Sequence, residues 1–228
     1  MTRLHHLAIG ATIALTLGAG IARAATTVRY TGYGTALDPG ETLVTDFRDP
    51  TALPPGFTLL GTAAFLTGTS SEGAAPAIGA TSRDPGQYLS MEANEFETLT
   101  TPALKNISFY IGSLDTYNTL TFIFENRSKQ VFTGAQLANI AHGLADGDQQ
   151  SSATNGRFTF IFGAPITQVR FDSSGNSLEV ANVAAVIPKG AGPGGFAVPE
   201  PSAWAMILIG LAGLGATLRR WRPIVSST

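Results

Sequence analysis

The chain has 228 residues, 44% of them hydrophobic, and a formal net charge of −2. Between Ala25 and Val198, nine scattered Lys or Arg stand against fifteen Asp or Glu, a net of −6, which leaves no electrostatic footprint for nucleic acid. With no Cys and only His142 outside the first 24 residues, disulfides, thiolate zinc sites, Cys nucleophiles and multi-His metal sites within one chain are all excluded.

The chain opens with Arg3, an apolar run from Leu7 to Ile21 and the triplet Ala22-Arg23-Ala24. A positive start, an apolar stretch of about 15 residues and small residues at a cleavage position make a secretory signal peptide, with the cut expected after Ala24. Signal peptidase and the Sec translocon are the partners this implies.

From residue 25 to 189 one domain is expected. Candidate strands come first at Val28 to Tyr33, Phe57 to Leu60, Ala63 to Thr67, Tyr88 to Met91 and Phe96 to Leu99. Clear period-two alternation follows in Ile107/Phe109/Ile111, Leu120/Phe122/Phe124, Phe158/Phe160/Phe162, Val169/Phe171 and Leu178/Val180, the pattern of half-buried antiparallel strands. Turn signals separate them at Asp38-Pro-Gly40, Pro54-Pro-Gly56, Asp84-Pro-Gly86, Asn155-Gly156 and Ser173-Ser-Gly-Asn176. Only Gln136 to His142 reads as a helix, closing at Gly143, with His142 structural or solvated. The fold class is therefore all-β: an antiparallel β-sandwich, jelly-roll-like, with one short helix.

Residues 190–198, rich in Gly and Pro, form a flexible spacer. Beyond it stand Pro199-Glu200-Pro201-Ser202-Ala203-Trp204-Ala205, an uncharged run of 15 residues from Trp204 to Leu218, and Arg219-Arg220-Trp221-Arg222. At 1.5 Å per residue the run spans about 22 Å, short for a membrane helix but sufficient with interfacial Trp and Arg and local thinning. The Arg cluster places its end in the cytoplasm and the body outside.

The tail, 199–223, resembles the PEP-CTERM sorting signal of Gram-negative exopolysaccharide producers, in its PEPxxWA variant. The resemblance implies recognition and processing by an exosortase, a membrane transpeptidase-like enzyme, after an inner-membrane intermediate, with the product released or passed to the cell surface. The segments Ser108 to Phe122 and Ser174 to Asn182 further resemble the ectodomain of many PEP-CTERM exported proteins, which implies the fold and not an activity.

Three clusters carry candidate chemistry. The loop from Gly112 to Asn118 gathers Asp115, Tyr117 and Asn118, oxygen donors suited to sugar hydroxyls or to Ca²⁺, although Asp115 and Asn118 also suit a turn that bonds its own backbone. Asp146-Gly147-Asp148 offers two further oxygens but lacks the order of an EF-hand loop and reads as a solvated turn. Glu92, Glu95 and Glu97 read as alternating charges on an exposed strand face. Trp204 and Trp221 both lie in the tail, so a sugar platform in the body falls to Tyr30, Tyr33, Tyr88, Tyr110 or Tyr117.

The expected function is that of a non-enzymatic surface or matrix protein in contact with exopolysaccharide, with no cofactor beyond a candidate Ca²⁺. The alternative is an exported polysaccharide hydrolase, which needs two acids at about 5 to 9.5 Å, drawn from Asp115, Glu125, Asp172 and Glu179.

Signal peptidase requires small side chains at its site, so Ala24→Phe is expected to block leader removal. The mass of the exported protein measures this directly, and an unchanged mature mass would place the cut elsewhere.

Overall fold

The computed structural model describes residues 25–84 and 86–188, together with the two-residue strand β1 (Ile13–Ala14). Two compact units divide the chain, Met1–Ala191 and Gly192–Thr228. The leader's cleavage site, with Ala22 and Ala24, and the whole sorting segment lie outside the described residues. Among the described residues no helix is long and apolar enough to cross a membrane.

The elements that follow β1 are β2 (Thr26–Thr31), β3 (Thr42–Thr45), β4 (Thr58–Gly61), β5 (Ala64–Thr67), β6 (Ala77–Gly79), β7 (Ser82–Arg83) and β8 (Gln87–Met91). Next come β9 (Glu95–Gly112), β10 (Asn118–Phe124), β11 (Lys129–Thr133), α1 (Gly134–Ile140), β12 (Gly156–Ser173) and β13 (Leu178–Ala185). The pairing is antiparallel throughout, with one short helix, consistent with a β-sandwich.

Two 18-residue strands organise the molecule. The sequence pattern shows four short alternating runs here, but Phe96–Leu99 and Ile107–Ile111 belong to one strand, β9, and Phe158–Phe162 and Val169–Phe171 to another, β12. They pair along nearly their full length, from Gly156↔Ile111 to Ser173↔Glu95. The register breaks between Ile161 and Ile166 and again between Ile166 and Gln168. Pro102 and Pro165 sit in this interval, where the ladder needs no amide donor from them.

On one side of the break, β12 pairs with β2 and β9 with β13; on the other, β12 pairs with β10 and β9 with β4. The outer strands complete two layers: β8, β5 and β3 beyond β13, and β11 beyond β10. The edge strands β3 (TLVT) and β11 (KQVFT) are short and place two apolar residues side by side without alternation, so their pairing has little trace in the sequence pattern.

Phenylalanine rings from both layers fill the space between them. Phe160 of β12 lies 4.5 Å from Phe122 of β10, 5.3 Å from Phe109 and 5.3 Å from Phe132. Phe109 meets Phe171 edge to face at 5.1 Å. A smaller cluster of Ala75, Tyr88, Tyr110 and Ala181 covers the outer face of the β9–β13 pair. Beside it the buried Arg157 guanidinium donates to Ser108 Oγ (2.9 Å), the Asn182 carbonyl (3.0 Å) and the Thr35 carbonyl (3.3 Å).

Helix α1 begins and ends two residues earlier than the sequence suggests. Thr133 caps it and exchanges bonds with Gln136, completing a capping box. At its other end the left-handed residue is His142 (φ 55°), and the Gly143 amide reaches back to the Ala138 carbonyl at 2.9 Å. His142 is exposed there.

The ends of the body lie together. Thr26 pairs at Phe162 and Ala185 at Ile107, both near the register break, whereas Glu179 pairs with Gly112 at the far end of β9.

Phe160 touches five other rings and is fully buried. Phe160→Ala is expected to cost about 3 to 5 kcal/mol of unfolding free energy in urea. Leu144→Ala, at a side chain 72% exposed, is expected to stay within about 0.5 kcal/mol.

Candidate functional site

At the Gly112 end of the sandwich, four connecting segments enclose a polar cavity of about 310 Å³. Ser70 to Ala74 form one wall, Ser113 to Tyr117 a second, Asp146 to Gln149 a third, and Asn176 to Glu179 the last. Among the described residues no Lys, Arg or His lines it.

Glu179 is the second residue of β13 and is 1% exposed. Its Oε1 accepts from the Ala74 amide at 3.0 Å and from Ser177 Oγ at 2.5 Å, and its Oε2 accepts from Ser113 Oγ at 2.5 Å. One carboxyl thus ties three of the four segments together. Burial pushes it up to about 7, against the serine hydroxyls and the Ala74 amide, which favour the charged form.

Asp115 projects from the connection between β9 and β10. Its amide donates to Asn118 Oδ1 at 2.7 Å, the Asn118 amide donates to the Asp115 carbonyl at 3.1 Å, and Asn118 itself is fully buried. Asn118 is therefore the locally bonded turn residue, and its side chain does not line the cavity. Asp115 does, and its Oδ2 accepts from the Tyr117 hydroxyl at 2.6 Å. Burial raises the Asp115 carboxyl, the Tyr117 bond opposes this, and the Asp146 charge adds to the rise. Burial and then the Asp115 bond and charge push the Tyr117 phenol up. Its hydroxyl also lies 2.6 Å from the Asn176 carbonyl, and its ring covers Gly175, where an added Cβ would meet it at 2.8 Å.

The Asp146 segment arrives through the helix. Gly134, the first residue of α1, packs so closely on the Asp115 carbonyl that no Cβ fits. Asp146 then forms an antiparallel bridge with Asp115. Gly147 follows at φ 69°, where a Cβ would stand 2.4 Å from Asp115 Oδ2. Asp148 points elsewhere and caps its own turn through the amides of Gln150 (2.8 Å) and Ser151 (3.1 Å).

Asn155 closes the turn expected there, its amide donating to the Ser151 carbonyl at 3.0 Å, and its buried side chain is also a connector. Its Oδ1 accepts from the amides of Ala77 (3.0 Å) and Ser113 (3.2 Å), and its Nδ2 donates to the carbonyls of Asp148 (2.9 Å) and Ser151 (3.1 Å).

Of the four acids named for a hydrolase, the cavity brings together Asp115 and Glu179. Glu125 is exposed beside the β10–β11 turn, and Asp172 pairs with Arg170 at 2.7 Å. Of the pair Asp146 and Asp148, read in the sequence as a solvated turn that offers two oxygens, Asp146 lines the cavity; Ser113, Asn155 and the Ser70 segment carry no such signal in the sequence. Their spacing in the chain hides a juxtaposition that the sheet creates.

Glu97 is not on an exposed face: it is 3% exposed, on the inward side of β9 with Leu99. Burial raises its carboxyl against donation from the amides of Thr98, Leu60 and Ala63. The face outward at this point belongs to Phe96, under the Arg170 guanidinium at 3.9 Å. Of the five tyrosines, Tyr88 and Tyr110 are buried in the core, and only Tyr117 lines the cavity. Among the described residues no group of three or more His, Cys, Asp or Glu converges as a metal site.

Comparison with known proteins bears on the tail. Among the curated proteins none matches the chain. Among solved structures the chain is similar to the catalytic unit of a thermostable GH87 alpha-1,3-glucanase from Streptomyces thermodiastaticus, at 16% identity and a TM-score of 0.29. That likeness covers 62% of this chain and 28% of the glucanase structure. A family model described as the PEP-CTERM protein-sorting motif matches residues 197–222, a signal that marks exported proteins sorted to the cell surface or extracellular space and implies processing by exosortase.

Proposed function

We propose that this protein is a non-enzymatic surface or matrix protein, exported through a cleaved leader and processed at its tail by an exosortase, whose cavity takes a saccharide unit of an exopolysaccharide. The observation that carries the export half is the sorting motif at residues 197–222. Within it, Trp204-Ala205 after Pro199-Glu200-Pro201 supports the PEPxxWA variant, and the run to Leu218 followed by Arg219, Arg220 and Arg222 supports a short membrane anchor.

The cavity supports the binding half. Its walls are serine hydroxyls, amides, a phenol and carboxylates, the groups that exchange hydrogen bonds with a polyhydroxylated ligand. With no cation among the described residues of its lining, it suits a neutral saccharide rather than a uronate or a sulfate. Position supports the same reading. Glu179 and Ala185 are six residues apart on β13, about 20 Å, so the chain leaves the body at the end opposite the cavity.

The hydrolase reading draws support from Asp115 and Glu179 sharing one cavity. Against it, Glu179 is 1% exposed and both of its oxygens already accept hydrogen bonds from the protein, three donors in all, which ties that acid to the walls rather than presenting it to a glycosidic oxygen.

The protein released by its host, tested against that host's own exopolysaccharide with and without Ca²⁺, is expected to bind, and Asp115→Ala to weaken binding about tenfold, as loss of a hydrogen bond to a charged acceptor does. Release of reducing ends would favour the hydrolase instead, and absence of binding would leave a structural role. In a host with an exosortase, Glu200→Ala is expected to insert normally and to accumulate as full-length precursor in the inner membrane. Processing at the normal rate would make the tail an ordinary anchor.

A further inference from the structure

The two layers differ on their outer sides. That of the β9–β13 pair carries the buried Tyr110, Ser108 and Arg157, whereas that of the other layer is bare. There β4, the first half of β9, the second half of β12, β10 and β11 lie side by side. Their registers align the outward side chains in three rows that cross the strands, and none of the side chains on these rows is buried. The middle row runs Leu60, Thr98, Arg170, Thr121, Val131. Phe96, Asp172 and Thr119 lie in the row on one side of it, and Thr100 in the row on the other. Arg170 is held in place at the centre. Its guanidinium carbon stands 3.9 Å from the centroid of the Phe96 ring, and its Nη2 and Nε meet Asp172 Oδ1 at 2.7 and 2.8 Å.

Size and charge decide what such a face fits. Five strands about 4.8 Å apart and three rows about 6.7 Å apart cover about 24 Å by 20 Å, roughly 480 Å². A stable protein–protein pair buries about 800 Å² on each partner, with its apolar residues central and its polar ones around the rim. Here that order is reversed. Arg170 holds the centre, and the apolar Leu60 and Val131, 77% and 49% exposed, stand at the two ends of the row. A second copy of the chain or another protein is therefore a poor match. Asp172 offsets the Arg170 charge, so the centre does not select an anion either. What the row offers is hydroxyl, guanidinium and hydroxyl on adjacent strands, with a carboxylate oxygen alongside, which is a set of donors and acceptors for a neutral ligand rich in hydroxyls.

We propose that this bare face is a second saccharide site, on which a neutral polysaccharide chain lies across the strands along the middle row. Successive units of the chain exchange hydrogen bonds with Thr98, Arg170 and Thr121. The inference rests on the reading of this protein as exopolysaccharide-associated, but on none of the residues of the cavity. The cavity takes one unit, whereas the face takes a length of chain, whose connectivity sums contacts that are weak one by one. One copy with both sites joins two strands of the matrix.

The test compares the protein released by its host on two probes, the intact exopolysaccharide of that host and a hydrolysate of it cut to one or two units. Thr98→Val with Thr121→Val removes two hydroxyls and keeps the branched shape that suits a strand. This variant is expected to bind intact chains about tenfold more weakly, as loss of two exposed hydrogen bonds gives, and the hydrolysate as wild type does. Thr98→Ser with Thr121→Ser, which keeps both hydroxyls, should bind both probes like wild type. Asp115→Ala should lose affinity for the hydrolysate and still show the valine effect on intact chains. If Asp115→Ala changes neither probe while the valine effect stands, the cavity reading fails and the face remains. Failure of the wild type to bind intact chains, an unchanged affinity in the valine variant, a loss shared by the hydrolysate or a loss that serine does not restore each overturns the face site. So does self-association in sedimentation that the valine variant abolishes, which would make the face a contact between copies.

Discussion

Everything in this fold hangs on the antiparallel pairing of β9 with β12. Eighteen residues of extended chain reach about 59 Å, whereas a domain of about 165 residues has a radius of gyration of about 15 Å. Two such strands cannot run straight through it and must fold over together. They do so at Pro102 and Pro165, where the ladder is interrupted and no amide hydrogen is missed. A single pair of strands therefore contributes to both layers, and every other strand is placed by which half of that pair it borders.

Folding the pair over also explains the core. The alternating side chains of each half turn toward the other layer, so Phe109 and Phe160 from one half meet Phe171 and Phe122 from the opposite one. Without any Cys, the body has only packing and sheet bonds to hold it, and interlocked rings bury a large apolar area per residue while adding about 0.5 to 1.5 kcal/mol per favourable pair. The opposite faces of β9 and β13 are not left wet. The small tyrosine cluster and the buried Arg157 dock the long 33–41 and 68–86 connections onto them, which in turn brings the Ser70 wall to the cavity.

The cavity is thus a product of connections, not of a motif. Two buried polar side chains make it one structure: Asn155 joins the Ala77, Ser113 and Asp148 segments, and Glu179 joins the Ala74, Ser113 and Ser177 segments. Such groups are costly to bury unless every donor and acceptor finds a partner, and here the partners are the backbone amides and hydroxyls that the loops themselves cannot satisfy internally. Burial raises the Glu179 carboxyl, and the same bonds that shape the walls pull the other way by favouring its charged form.

The alternation of Phe, Ile and Val with Thr and Ser was enough, by itself, to predict antiparallel sheet with a single short helix, because period-two burial is a local property of the chain. The ordered signals of the tail were legible for the same reason: a sorting motif is read as sequence. Asp115 and Tyr117 could be marked as cavity residues from the polar loop between two clear strands, but Asn118 beside them serves the turn, and only its buried side chain bonded to the Asp115 amide decides between those roles. Glu97 and Glu179 look alike in sequence, acids within alternating strands; which way each side chain points depends on the register of the neighbouring strand, set by pairings dozens of residues away. Tertiary structure alone decided that Asp146 and Ser70 stand around one cavity with Asp115, because that convergence follows from the fold-over of β9 and β12 and from no spacing within the chain.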